Sequence, residues 1–306
     1  MARRLDTGWR DGLLNVRHAY WGHEAPATGM KFPMVEYDRG EPLAVMSYQR
    51  RGELPSGRDA VAAHTAFGRL HRVTGEQLPF FTVQYDVRNW SYRLFAHNDS
   101  ARQFLGSGWT KMSEQQFVRN LYRLRGRHAP DLAAYGVSFS DEPWPEEEPS
   151  ANRVVIEDWP HQLMSTRRRC FEPVGQTRMT WRNPCLDVDL AVVDRYDRVA
   201  LVVDYKAPGA KVNLSSTNLK ALSGLLTSRG ARADMAVPAM LVCYEQIKPE
   251  WTVKVHCLNQ SARMHLSYVL GADGTPEQLA EAVAGIDWVD LSEGQWRSVL
   301  DAARDL

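Results

Sequence analysis

The sequence predicts an α/β protein built as two tandem αβα sandwich domains, each with a mixed central sheet. Three observations carry this. Residues 187–206, DVDLAVVDRYDRVALVVDYK, read as a β-hairpin whose strands are apolar on both faces, the mark of strands covered on each side by helices. The elements flanking it recur in the same order in the first half of the chain, as tandem duplication requires. Between the copies, residues 139–151 (FSDEPWPEEEPSA) are rich in proline and acids, so they read as a linker. The expected domains are therefore residues 1–138 and 152–306.

The hairpin register follows from its turn. With Arg195, Tyr196, Asp197 and Arg198 as a four-residue turn, opposed positions sum to 393. Asp189 then faces Asp204, and Asp187 faces Lys206. Ala191, Val193, Ala200 and Val202 line the acidic face; Val188, Leu190, Val192, Val199, Leu201 and Val203 line the other. Two carboxylates about 4.5–5.5 Å apart at Cβ repel each other unless a positive charge lies between them. A hard divalent cation with oxygen ligands supplies one, with Lys206 beside it. The pattern is also that of a surface hairpin ending in solvated charges, but charges at the end of buried strands are costly without a partner.

Asp189, an apolar hairpin, then Asp204-Tyr205-Lys206 resembles the motif of the PD-(D/E)xK nuclease superfamily, the restriction-endonuclease-like fold. The resemblance implies that Asp189 and Asp204 bind Mg²⁺, with Mn²⁺ as substitute, and that the Tyr205 carbonyl is a further ligand. It implies that Lys206 positions or activates the attacking water, and that the products carry 5′-phosphate and 3′-hydroxyl ends. Asp187 is an extra acid beside this set. Pro184 lies near the first acid, at a spacing that forms no literal Pro-Asp pair.

The first copy keeps the frame without the chemistry. APATGMKFPMVEYDRGEPLAVMSYQRRG aligns beneath NPCLDVDLAVVDRYDRVALVVDYKAPG, with Pro26 on Pro184, Gly29 on Asp187, Lys31 on Asp189, Ser47 on Asp204 and Gln49 on Lys206. One extra residue fits a three-residue loop, Asp38-Arg39-Gly40, with glycine left-handed. Helical stretches at 56–73 and 215–228 correspond, as do Leu78-Pro79 with Val237-Pro238, Trp90 with Trp251, and Ser100-Ala101-Arg102 with Ser261-Ala262-Arg263. SEQQF (113–117) aligns with TPEQL (275–279). Residues 8–20 read as a short amphipathic helix and 292–306 as a closing helix with Trp296 and Leu300 on one side.

Nucleic-acid contacts are expected from Arg167, Arg168 and Arg169, from Lys211 and Asn213 after the triplet, and from Lys31 in the silent lobe. Each has a plainer reading as a solvated charge or helix cap. Glu172 is a weaker candidate for an additional helix acid. His18 and His23 lack nearby acids and make a poor ligand set. The tryptophans read as core or interface residues.

Composition narrows the classes. The chain has 306 residues, 44% apolar and 24% charged, as a soluble globular protein does. Net charge is zero, which argues against a histone-like binder but leaves room for a local basic groove. No apolar run reaches the ~18 residues of a membrane span and no signal-peptide core opens the chain, so a cytoplasmic protein without membrane contact is expected. Four cysteines without CxxC spacing suggest neither zinc nor a disulfide framework. No P-loop, dinucleotide fingerprint or nucleophile elbow is present.

The expected function is Mg²⁺-dependent hydrolysis of DNA phosphodiesters by the second lobe. The rivals are a catalytically silent nuclease fold that binds nucleic acid or protein, and action on RNA. A homo-oligomer is compatible with the sequence, although the duplicate mimics a homodimer within one chain.

Overall fold

The computed structural model of the chain describes residues 20–22, 33–50, 64–86, 91–126, 170–174, 178–182, 185–188, 190–206, 210–227, 236–247, 250–271 and 288–305. The expected linker, residues 8–19 of the helix expected at 8–20, and residues 275–279 fall outside them; Tyr20, expected to end that helix, lies on a strand instead.

The first half contributes β1 (Tyr20–Gly22), β2 (Pro33–Asp38), β3 (Glu41–Arg50), β4 (Phe80–Asp86), β5 (Ser91–Ala96), α1 (Asp99–Leu105), β6 (Trp109–Ser113) and α2 (Glu114–Leu124). The second contributes β7 (Cys170–Val174), β8 (Arg178–Arg182), β9 (Cys185–Asp187), β10 (Leu190–Val193), β11 (Val199–Lys206), α3 (Thr217–Ser223), β12 (Ala239–Ile247), β13 (Glu250–Cys257), α4 (Gln260–Leu270), β14 (Trp288–Ser292) and α5 (Glu293–Asp305). One sheet runs β1-β10-β11-β12-β13-β14, the other β6-β5-β4-β3-β2-β9, and β7-β8 stand apart as a pair. Both large sheets are mixed: β11–β12 and β3–β4 are parallel and every other pairing is antiparallel. The α/β class with two sheet-bearing lobes is therefore present.

The repeat is built in three dimensions. Hairpin, parallel crossover and antiparallel meander follow the same order in β10-β11-β12-β13-β14 and β2-β3-β4-β5-β6. The Val45 N–H donates to the Pro79 carbonyl as the Val202 N–H does to Pro238, both at 2.9 Å. Asn98 and Asn259 perform the same task. Each caps the following helix through Ala101 or Ala262 N–H, and each donates its amide to two carbonyls, one at the end of the inner helix and one before the next strand: Gly68 and Leu78, or Ser223 and Val237. One alignment needs correction. Ser113 and Gln116 form a capping box, and its counterpart is Ser292 with Gln295. SEQQF thus corresponds to SEGQW at 292–296, because cap geometry and the preceding Trp109 and Trp288 strands decide the match.

The two halves are interlocked. β1 from the first half pairs with β10, and β9 from the second pairs with β2. Each sheet packs its outer face on its own helices: Leu201, Val203, Met240 and Val255 against Leu266, Trp296 and Val299 in one, Met46, Phe81 and Leu94 against Phe117 and Leu121 in the other. A third cluster is common to both and joins Val45, Phe67 and Phe80 to Val188, Val202, Leu222 and Val237. The inner helices cross over. The Gly40 turn lies against Lys220 of α3, and the Arg69 guanidinium, just past the helix at 64–68, donates to the Tyr196 carbonyl at 2.9 Å.

Local differences from expectation have identifiable causes. The predicted sum of 393 holds for Leu190–Val203, Ala191–Val202 and Val192–Leu201, then slips, and Val193 pairs with Val199. Ala200 is the extra residue of a bulge, so Ala200 moves to the outer face while Val199 and Val188 face the shared core. Asp194 enforces the turn. Its buried carboxylate accepts from the N–H groups of Tyr196 and Arg198 and from Arg198 Nε at 2.7 Å. In the first copy the loop has two residues: Asp38 pairs with Glu41 across Arg39 and Gly40, both at positive φ (52° and 91°). That is a primed hairpin turn, whose twist matches the strands. The inner helices are shorter than expected, ending at 68 and Ser223. Glu172 lies on strand β7 opposite Thr180, so it is no helix acid. Among the described residues no helix is long and apolar enough to cross a membrane.

Candidate functional site

Strand β11 sets the site. Leu201, Val203 and Tyr205 point to the outer core, so Val202, Asp204 and Lys206 share the inner face. Asp204 is 3% exposed, whereas Lys206 is half-buried; its Nζ lies 2.7 Å from Asp204 Oδ2. A carboxylate this deep needs a positive or hydrogen-bonding neighbour, and Lys206 supplies one. On the opposite face the Tyr205 hydroxyl accepts from Trp296 Nε1 at 3.3 Å, with the rings edge-to-face at 6.4 Å. That contact fixes the backbone between Asp204 and Lys206 against α5.

The sheet register adds neighbours that sequence reasoning missed. Asp204 is level with Leu241, His256 and Trp288, and Lys206 with Cys243, Lys254 and Asp290. All share the inner face, since Val253, Val255 and Leu291 fill the outer one. Burial lowers the His256 pKa, the adjacent Lys254 lowers it further, and Asp290 opposes both. The available signal was the strict alternation of TVKVHC, which leaves Lys254 and His256 on the face opposite the core.

The other expected site residues are distributed as follows. Asp189 lies outside the described residues, as do Lys31, Arg167, Arg168 and Arg169. Asp187 does not continue the hairpin: its strand partner is Met34, so β9 and β10, adjacent in sequence, belong to different sheets. The expected Asp187–Lys206 opposition is thereby replaced. Lys211 and Asn213 are exposed in the loop after the triplet. The Asn213 side-chain oxygen is engaged locally, accepting from the Ser215 N–H at 3.1 Å and hydroxyl at 2.7 Å. That is a turn motif of ordinary kind.

The first lobe carries different residues at the corresponding places. Ser47 is buried at the Asp204 position, level with Thr82, which corresponds to Leu241. Thr82 Oγ1 lies 2.7 Å from His97 Nε2, and His97 stacks on His64 at 4.7 Å between ring centroids. Leu219 and Leu258 occupy the corresponding places in the second half. Burial lowers both imidazole pKa values to about 4, with His64 and Arg102 adding to the effect at His97. Both rings are neutral at physiological pH.

A magnesium-type ion requires several hard oxygen donors. Asp204 is one such donor, and the Tyr205 carbonyl is of the right kind. Among the described residues no group of three or more His, Cys, Asp and Glu side chains is placed to hold a metal ion. Comparison of the chain with family models, with curated proteins and with solved structures finds no match.

Proposed function

We propose that the second lobe is a metal-dependent nuclease of the PD-(D/E)xK type, hydrolysing DNA phosphodiesters, and that the first lobe is its inactive duplicate. The observation that carries this reading is the Asp204–Lys206 pair, 2.7 Å apart at the inner-face end of a hairpin strand otherwise packed in apolar core. Charge at such a place is costly and is kept where it does chemistry or is paired.

On this reading Asp204 with Asp189 would hold Mg²⁺, which when bound would polarise the scissile phosphate and stabilise developing charge; Asp187, paired with Met34 in the other sheet, is not part of that set. Lys206 would orient the attacking water by donating an ammonium hydrogen bond to its oxygen, the water's proton passing to solvent. Its ammonium, already beside a carboxylate, also offsets negative charge building on the phosphate. The Tyr205–Trp296 contact keeps both side chains in register by fixing the strand between them. Ser47 has no charge with which to hold a cation, which supports placing catalysis in one lobe.

One observation favours a second reading. The Asp204–Lys206 ion pair balances its own charge, as a silent fold retained for binding would.

The test is incubation of the full chain with supercoiled and linear DNA, with and without Mg²⁺. Nicking or degradation that requires the ion and stops in excess EDTA is expected. Intact DNA at all metal concentrations, with unaltered binding, selects the silent binder; cleavage indifferent to EDTA overturns the mechanism.

A further inference from the structure

One feature survives in both lobes although the catalytic residues do not. The last strand of each sheet opens with an exposed tryptophan, Trp109 at 40% and Trp288 at 50% exposure. Each ring carries a cation from the neighbouring strand: the Arg93 guanidinium at 5.0 Å from Trp109 and the Lys254 ammonium at 3.5 Å from Trp288. The pairs correspond through the duplication, since Trp109 opposes Phe95 and Trp288 opposes His256, while Arg93 opposes Lys111 and Lys254 opposes Asp290. Both tryptophans lie on the inner faces, level with Ser47 and with Asp204 respectively.

These positions suit a strand of nucleic acid. Indole faces stack on bases of any sequence, and nearby Lys and Arg track the phosphates. Trp288 stands three strand spacings from Asp204, about 14 Å. That is about four nucleotides at a stacked rise of about 3.4 Å, so one short strand reaches both. A regular duplex buries its base faces in its own stack, which leaves an indole nothing flat to meet. The first lobe is the more basic platform: Arg93 and Lys111 oppose each other there, whereas Asp290 stands opposite Lys254.

We propose that the Trp109 and Trp288 faces bind an unpaired nucleic-acid strand, bases on the indoles and phosphates on Arg93, Lys111 and Lys254. The substrate of the second lobe is then a single strand or the unpaired part of a duplex. The term substrate rests on the nuclease reading; the binding platform does not.

The experiment uses the full chain in EDTA, titrated with short oligothymidylate, oligouridylate and a blunt hairpin duplex. Both single strands should quench indole emission and bind more tightly than the duplex. Trp109→Ala and Trp288→Ala should each weaken single-strand binding by about 5- to 150-fold, the range for one stacked base. Phe at either position should restore most of it. Arg93→Ala and Lys111→Ala should each flatten the salt dependence, by a slope of about 0.7 per lost phosphate contact. Binding of oligothymidylate alone makes the platform specific for DNA; binding of oligouridylate alone makes it specific for RNA. Unchanged single-strand affinity in both alanine variants overturns the proposal, including where those variants instead lose self-association. Trp-dependent binding with no cleavage of any nucleic acid in Mg²⁺ leaves the platform and removes the nuclease. Mg²⁺-dependent cleavage indifferent to both tryptophans does the reverse.

Discussion

His71 and Leu226 hydrogen-bond to each other across the two halves: the His71 N–H donates to the Leu226 carbonyl at 2.8 Å, and the Leu226 N–H to the His71 carbonyl at 2.9 Å. They are counterparts. Leu70 accepts from the Leu78 N–H as Leu225 accepts from the Val237 N–H, each at 2.8 Å. A position that pairs with its own duplicate marks a two-fold relation, the isologous contact of a symmetric dimer. The axis of this one-chain dimer therefore passes between His71 and Leu226, beside the shared core to which Leu70 and Leu225 belong.

The first prediction concerns the site. Asp204→Asn and Lys206→Ala should each lower Mg²⁺-dependent cleavage by 10²-fold or more, the scale of a lost general base or ligand. Mg²⁺ at about 100 times its Kd should raise wild-type stability by about 2.7 kcal/mol and leave Asp204→Asn unmoved. Because Lys206 already offsets Asp204, the asparagine variant gains little without metal. Calorimetry with and without Mg²⁺ reads both; equal shifts in the two proteins would falsify the ligand role.

The two corresponding asparagines should cost alike. Asn98→Ala strips partners from the Gly68 and Leu78 carbonyls and the Phe80 and Ala101 N–H groups. Asn259→Ala does the same to Ser223, Val237, Ala239 and Ala262. Each orphaned buried group costs about 1–3 kcal/mol, so urea unfolding should show losses of about 3 kcal/mol or more in both. A loss at one position only would show that the duplicated network has diverged in function.

Glu36 and Arg125 form an ion pair at 3.3 Å with both side chains almost fully buried. Removing one partner leaves a buried charge, at a cost of about 3–5 kcal/mol. Arg125→Met alone should therefore destabilise strongly, and adding Glu36→Leu should recover much of the loss. A double-mutant cycle measures this; additive losses would show that the pair is not coupled.

Acid should loosen the first lobe. The folded chain protonates His64 and His97 only near pH 4, whereas the unfolded chain does so near 6.5. Between those values the unfolded state binds more protons, so stability is full above about 6.5 and falls as pH drops toward 4. Replacing His64, His97 and Thr82 with leucine, as at Leu219, Leu258 and Leu241 of the other half, should flatten that limb. Melting temperatures from pH 4 to 8 provide the readout, and an unchanged slope in the triple variant would exclude these imidazoles as its cause.

The sequence made the hairpin legible because its strands are apolar on both faces. Leu190–Val203 and its neighbours pair as counted, and Ser47 falls at the Asp204 position. What it concealed were features set by distant partners. The Ala200 bulge depends on how Asp194 draws in the turn, and the two-residue turn at Arg39-Gly40 on a bulge beside Glu36. Asp187 leaves the hairpin because Met34 is available to it, a choice that no local pattern encodes. The alignment through Thr275 failed because capping residues are common and only the strand before them discriminates.

The exchanged edge strands have a consequence for synthesis. β1 is made first, yet its partner β10 emerges only after the whole first half and β9 have left the ribosome. Sheet β6-β5-β4-β3-β2 likewise waits for β9 to cover its open edge. Until then β2 presents unpaired backbone groups, a template for strands of other chains. The nascent chain therefore carries its greatest exposure to misassembly midway through translation, and sequences that slow elongation after residue 193 should lengthen its dependence on chaperones.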